Sequence, residues 1–229
     1  KLLMRSFKFK TNTSLAVGPK SSLYFTGGGG GVNPINEVVR IDLKRDFAVC
    51  YQPSMLKQRT AHASLYWQGH LYVIGGISSA STLKECERYS LTKNQWDQIP
   101  SLQIAVFGAS LQMEEASQKL YAIGGGNSLN SYKLVQEFSM QSYKWRVLVL
   151  KLPSAWAYIA SFKSGPEIYF VHRSHLILFD VSQYQFILVK SLPDDIQSRN
   201  GPSYYSRGTL FTTSADRPPS QMILGSLSS

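Results

Sequence analysis

The sequence predicts an all-β protein built from repeated four-stranded antiparallel sheets, and three observations predict it. First, a strand-forming segment recurs at near-equal steps: SSLYFTGG (21–28), GHLYVIGG (69–76), QKLYAIGG (118–125), PEIYFVHR (166–173) and RGTLFTTS (207–214). Its aromatic position falls at Tyr24, Tyr72, Tyr121, Tyr169 and Phe211, in steps of 48, 49, 48 and 42 residues. Second, an aromatic pair recurs downstream at a fixed offset of seven: Tyr89 and Trp96, Phe138 and Trp145, Phe179 and Phe186, with Ile41 and Ala48 as a weakened first copy. Third, no stretch sustains the 3.6-residue apolar period, with caps, that a helix needs. A period near 50 residues with four strands per unit is the pattern of a β-propeller blade.

Within a unit the elements follow in order. An inner strand comes first, expected at Ala61–Leu65, Ala105–Leu111 and Ala157–Phe162. The LY segment is the second strand, because its Tyr, Phe, Val and Ile suit a pleated, half-buried surface. The third strand carries Tyr89, Phe138 or Phe179, and the fourth carries Trp96, Trp145 or Phe186. Turn-type residues at Gln68-Gly69, Lys93-Asn94 and Gln183-Tyr184 separate the apolar runs. One such sheet cannot bury both faces alone, so neighbouring sheets must stack. The aromatic columns then fill the space between them, each ring burying about 150–250 Å². The paired glycines at 27–28, 75–76 and 124–125 let backbone approach backbone and let the chain leave the strand abruptly.

The expected organisation is a single domain, 1–229, with blades at about 11–53, 54–100, 101–152, 153–195 and 196–229. The fifth blade is expected to end after its third strand at QMILGSL, with residues 1–10, through Leu2–Phe9, closing it. The alternative to about five blades is an incomplete six-bladed ring that lacks its first blade. The chain starts at Lys1 and is expected to be a piece of a longer protein.

Composition narrows the function classes. At 43% hydrophobic and 12% aromatic, 229 residues support a sizeable core and exclude disorder. The net charge is +10, of which Lys1, Arg5, Lys8 and Lys10 carry four, leaving +6 over the rest. That excess favours an acidic peptide segment as partner. No Lys/Arg block reaches five residues, so nucleic acid is not expected. Cys50 and Cys86 form no CxxC pair and read as free thiols in a reducing compartment. No apolar run reaches bilayer length, so membrane insertion is not expected. KLLMRSFKFK lacks the apolar centre of a signal peptide. The expected location is cytoplasmic.

Candidate chemistry is sparse. His62 reads as structural and His70 as a surface residue at a turn. His172 and His175 share one tight turn, with no Cys, Asp or Glu inside it to complete a metal set. GGGGG at 27–31 and GGG at 124–126 open no helical pattern and precede no GK[ST], so they are not phosphate cradles. No catalytic residue, metal site or cofactor is expected.

The most complete unit runs from Arg59 to Trp96, with Arg59 and His62, Gly75-Gly76, Glu87-Arg88-Tyr89 and Trp96 in order. These columns resemble the Kelch repeat family. The third unit keeps Gly124-Gly125, Phe138 and Trp145, and the fourth has His172-Arg173 in place of the double glycine. The resemblance implies a Kelch-type β-propeller and a non-catalytic protein–protein interaction scaffold. Its binding face is made by the loops that follow the second strand and precede the first. In this chain those loops contribute Lys57, Arg59, Lys84, Asn127, Asn130, Arg173 and Arg199, and Arg59 matches the family's loop arginine best. The roles implied are substrate recognition in a ubiquitin-ligase adaptor, which requires a BTB-type domain upstream, or binding to actin in the cytoskeleton. The alternative is a propeller enzyme, an oxidase, epimerase or hydrolase, with a site at the channel mouth. Copper oxidases of the family need a cysteine-linked tyrosine, and Cys50 and Cys86 fall in late strands of their blades, badly placed for one.

Overall fold

A computed structural model describes residues 10–29, 33–172, 175–191, 203–206, 209–214 and 217–223. Every element among them is a β-strand. The chain divides into two compact units, Lys1–Phe107 and Gly108–Ser229, each taken in turn.

The first unit holds two sheets. One is β1 (Ser14–Gly18), β2 (Ser22–Thr26), β3 (Val38–Asp42) and β4 (Ala48–Gln52); the other is β5 (Ala63–Trp67), β6 (His70–Ile74), β7 (Cys86–Ser90) and β8 (Gln95–Ile99). Each is antiparallel with its strands in chain order. Between the sheets, Ala16, Tyr24, Val38 and Met55 of the first meet Leu71, Val73, Tyr89 and Trp96 of the second. The Tyr89 and Trp96 rings lie 5.3 Å apart, and the indole donates to Pro53 O at 2.8 Å.

The second unit repeats the plan. Its sheets are β9 (Ser110–Glu114) to β12 (Lys144–Lys151), with β10 (Lys119–Ile123) and β11 (Leu134–Ser139) between them, then β13 (Ala160–Ser164), β14 (Glu167–His172), β15 (His175–Asp180) and β16 (Gln185–Ser191). A three-stranded sheet follows: β17 (Ser203–Ser206), β18 (Thr209–Ser214) and β19 (Arg217–Ile223). Tyr121, Ile123 and Val135 pack against Ile168, Phe170 and Phe179. The aromatic columns thus bury their rings between successive sheets, as their spacing predicts. Leu2–Phe9, the expected closing strand, lies outside the described residues.

Two boundaries differ from expectation. The inner strands begin two to five residues later, at Ala63, Ser110 and Ala160. Two residues before each start, the backbone turns through a left-handed corner: Asn12 (φ 53°), Ala61 (51°), Gly108 (61°) and Tyr158 (57°). That corner ends the incoming loop, so the strand cannot reach back across it. In the first sheet, Ile41 pairs with Val49, whereas Tyr89 pairs with Trp96. Val49, not Ala48, therefore holds the Trp96 position. The cause is one extra residue in the turn, residues 43–47 against 91–94.

The double glycines act as a mount between sheets. The second glycine donates to a carbonyl of the loop entering the next sheet: Gly28 N to Arg59 O at 3.0 Å, Gly76 N to Val106 O at 2.8 Å, and Gly125 N to Trp156 O at 2.7 Å. The first glycine gives that loop its clearance. A Cβ on Gly75 would lie 2.3 Å from Val106 O, and its φ is +57°, a conformation that suits glycine.

Candidate functional site

The mount also sets the two loops that face outward at that end of each sheet. In the second sheet's entry loop, Met55 N donates to Asn36 O and Arg59 N to Ile35 O, at 2.9 and 3.0 Å. The next entry loop repeats this with Leu102 to Lys84 O and Val106 to Leu83 O. The one after repeats it with Leu152 to Lys133 O and Trp156 to Tyr132 O. Arg59, Val106 and Trp156 therefore occupy one structural column, and it points inward.

This corrects the expectation for Arg59. Its side chain is 0% exposed and forms an ion pair with Glu87, itself 2% exposed. Its Nη1 donates to Gly75 O at 2.6 Å and to Glu85 O at 2.9 Å. The Glu87 carboxylate also accepts Leu56 N at 2.7 Å and Lys57 N at 3.0 Å. A buried guanidinium committed in this way fastens the entry loop and cannot touch a partner. Position in the family pattern pointed to it. The apolar residues at 106 and 156 were the signal that the column is interior.

The remaining candidates divide. Lys57 is about half exposed, 47%, and its ammonium pairs with Glu85. That bond holds the Glu85 carboxyl below its ordinary pKa. Lys84 is exposed, and its backbone N–H caps the same carboxylate at 3.2 Å. In the second unit, Asn127 shapes its loop: its Oδ1 accepts Leu129 N at 3.0 Å and Asn130 N at 2.8 Å. Asn130 is exposed at the same tip. Ser78 builds the matching turn in the first unit, its Oγ accepting from Ala80 N at 3.3 Å and Ser81 N at 3.1 Å. Arg173 and Arg199 lie outside the described residues.

Counting only polar residues missed the apolar tips. Leu129 is 83% exposed at the summit of the Asn127 turn. Leu56 and Ile104 are exposed at the tips of two entry loops. Exposed apolar side chains on rigidly tied turns are what a partner can bury. In the second unit, segments 126–133 and 152–159 carry Lys133 and no acid. Its ammonium donates to Pro153 O at 2.9 Å, tying the two loops together.

Two histidines, His62 and His70, fit structural roles. His62 is buried with Nε2 at 2.8 Å from Thr26 Oγ1. Burial, then the nearby Arg59 charge, holds its pKa well below the ordinary value. The His70 ring nitrogen meets Gln68 O at 3.0 Å, half-buried rather than fully on the surface. Cys50 on β4 and Cys86 on β7 are free thiols, and burial pushes the Cys86 thiol up to about 12. Among the described residues, no group of three His, Cys, Asp or Glu could hold a metal. No described helix is long and apolar enough to cross a membrane.

At the other strand ends of the second unit sits a polar knot. The Glu137 carboxylate accepts Tyr121 OH at 3.1 Å, Tyr184 OH at 2.9 Å and Arg146 Nε at 2.8 Å, with Lys119 Nζ at 3.4 Å. Burial opposes its ionisation, but the bonds from Arg146 and Tyr184 and the Lys119 charge outweigh burial and lower its pKa. Four side chains converge on this carboxylate, so the knot ties β10, β11, β12 and the β15–β16 turn together.

Comparison with known proteins agrees with the geometry. The family model described as Kelch motif matches residues 58–103, nearly the segment read above as the most complete unit. Kelch-like protein 35 from Mus musculus is 34% identical over 94 residues, 40% of this chain. The match spans only 16% of that relative's length. The solved structure of YjhT superposes with a TM-score of 0.74 over 92% of this chain and 74% of that one, at 14% identity, a likeness of fold. Four-stranded sheets stacked through aromatic columns and mounted on double glycines, matched in this way, show a β-propeller fold in which residues 58–103 match the Kelch motif.

Proposed function

We propose that the chain is a non-catalytic protein–protein interaction scaffold that holds a partner's extended, acidic and partly apolar segment on its loop tips. One observation carries the reading. The loops are fastened by a repeated set of backbone bonds, while their tips present Leu56 and Ile104 with Lys57 and Lys84 in the first unit, and Leu129 with Lys133 in the second. A preformed surface spends little entropy on ordering when it binds. Apolar tips supply buried area and lysines supply attraction to carboxylates. Free Cys50 and Cys86 fit a reducing, cytoplasmic setting.

Proximity labelling with crosslink mapping tests this, comparing the wild-type chain with Leu129→Asp/Lys133→Glu and with Lys57→Glu/Lys84→Glu. The expected result is loss of the labelled partner at unchanged melting temperature, with wild-type crosslinks ending on residues 56–58, 79–84 or 128–133. Equal recovery by all three proteins would remove the loop tips as the binding surface. A captured cullin assembly or actin would decide between the adaptor and cytoskeletal roles.

A further inference from the structure

The two units build the same gap between sheets with opposite chemistry. In the second unit, the cross-strand row Gln112, Tyr121, Glu137 and Arg146 holds the carboxylate knot described above. In the first unit the matching row is Ala16, Tyr24, Arg40 and Cys50. It lies on the side of the first sheet that packs against the second, because side chains alternate faces along a strand. Arg40 thus stands where Glu137 stands, Cys50 where Arg146 stands, and Ser22 where Lys119 stands. Asn94 matches Tyr184: each is the left-handed residue, φ 54° and 49°, just before its sheet's outer strand.

The exchange leaves a cation without a counter-ion. Arg40 is half-buried, and its Nε is shut off from solvent with no hydrogen-bond partner. Among the described residues no carboxylate pairs with it. The one acid of β3, Asp42, accepts Lys44 N at 3.0 Å and lies 3.8 Å from Arg45 Nε. The groups close to Arg40 are neutral hydroxyls. Burial raises the Tyr24 and Tyr89 phenols, and the Arg40 charge opposes that rise at both. Tyr89 OH donates to Asn94 Oδ1 at 2.5 Å. The amide N–H groups of that exposed asparagine have no partner among the described residues. A charge drawn out of water in this way is costly until it is paired.

We propose that Arg40 is the anchor of a carboxylate-binding site between the first two sheets, with Tyr24 and Asn94 as its neighbouring donors. Two things fix the ligand class. The same gap in the second unit closes around a carboxylate, that of Glu137. A guanidinium is a planar fork that takes a carboxylate through two parallel bonds. A free organic acid or an acidic side chain of a bound peptide supplies the group. No residue of this site belongs to the loop tips, so the inference stands apart from the reading above.

The test follows the Arg40 Nε–H signal of the full chain by NMR, assigned by its loss in Arg40→Gln, as acetate replaces chloride at constant ionic strength. A saturable shift is expected, half-complete below about 20 mM, with the signal of the exposed Arg45 unmoved. Tyr24→Phe should weaken binding about fivefold, the worth of one hydrogen bond. Arg40→Gln should be at least as stable as the wild type in chloride, by urea midpoint, and gain nothing from acetate. A short neutral peptide with one Glu, set against its Gln twin, separates the sources. A shift by the Glu peptide at lower concentration than acetate makes a partner's side chain the ligand; acetate acting alone makes it a free acid. A shift that grows linearly and equally at Arg40 and Arg45 would overturn the inference. So would an Arg40→Gln protein that acetate stabilises as much as the wild type.

Discussion

Replacing Arg59 with methionine separates the structural reading of this residue from the contact role its position in the repeat implies. The substitution keeps the aliphatic stem and removes a charge that is fully buried. It leaves Gly75 O and Glu85 O without their guanidinium donor and strands the Glu87 carboxylate with two backbone N–H groups. Removing one partner of a buried ion pair costs about 3–5 kcal/mol. Each buried acceptor left unpaired costs about 1–3 kcal/mol. The two descriptions overlap, so Arg59→Met is expected to cost about 4 kcal/mol, a large part of the ~5–15 kcal/mol that holds a domain. Glu87→Gln should cost a similar amount, because it leaves the arginine charge uncompensated. The double variant should recover about 2 kcal/mol of the summed loss, since neither stranded charge remains. The chain carries a similar uncharged combination itself: the third sheet has the buried Gln136 at the position of Glu87, and the residue of the Arg59 column that enters that sheet is Val106. Urea denaturation followed by tryptophan fluorescence gives the cycle. If Arg59→Met costs under 1 kcal/mol and abolishes partner capture, the reasoning fails and Arg59 returns to the binding surface.

Three further outcomes follow from the same geometry. Gly69→Ala meets open space and bears only left-handed strain, about 1 kcal/mol, whereas Gly75→Ala must also displace Val106 O and should lower the melting temperature at least twice as far. Trp96→Ala should cost about 3–5 kcal/mol in urea denaturation; a loss under 1 kcal/mol would show that the ring is not core. His62 is held neutral in the fold, so its contribution is complete above the unfolded pKa of about 6.5 and is lost as pH falls below it. Between pH 7.5 and 5.5 the wild type should lose about 1.4 kcal/mol more than His62→Gln. Identical slopes in urea midpoints at the two pH values would mean that His62 titrates normally.

The sheets were legible because their signals are periodic and redundant. Strand alternation, a step of about 48 residues, and paired glycines all mark the same places. The inner-strand starts were not legible, because the left-handed corners at Ala61 and Tyr158 use residues that carry no turn preference. Only Asn12 and Gly108 advertise the same corner. Val49 was displaced from its column by a single added turn residue, which a fixed offset cannot absorb. Of the candidate contacts, Lys57, Lys84 and Asn130 reach solvent, while Asn127 spends its carboxamide on its own loop. Leu129 was passed over because an apolar residue in a loop reads as noise until its turn is seen to be tied.

The mount and the tips obey different constraints, and that separation lets the tips vary while the fold is kept. The backbone bonds that seat each entry loop are the same in three places, yet the side chain beneath them is Arg59, Val106 or Trp156. Geometry there is conserved within the chain by main-chain atoms, so the buried chemistry can vary provided that charge is matched, as Glu87 matches Arg59. At the tips, Ala80 and Leu129 occupy corresponding summits of two turns held by a serine and an asparagine, Ser78 and Asn127. Exchanging one summit residue for another touches no core contact and breaks no mount bond, and surface changes of that kind stay within about 0.5 kcal/mol of stability. The tips can therefore be rewritten without reopening the fold beneath them.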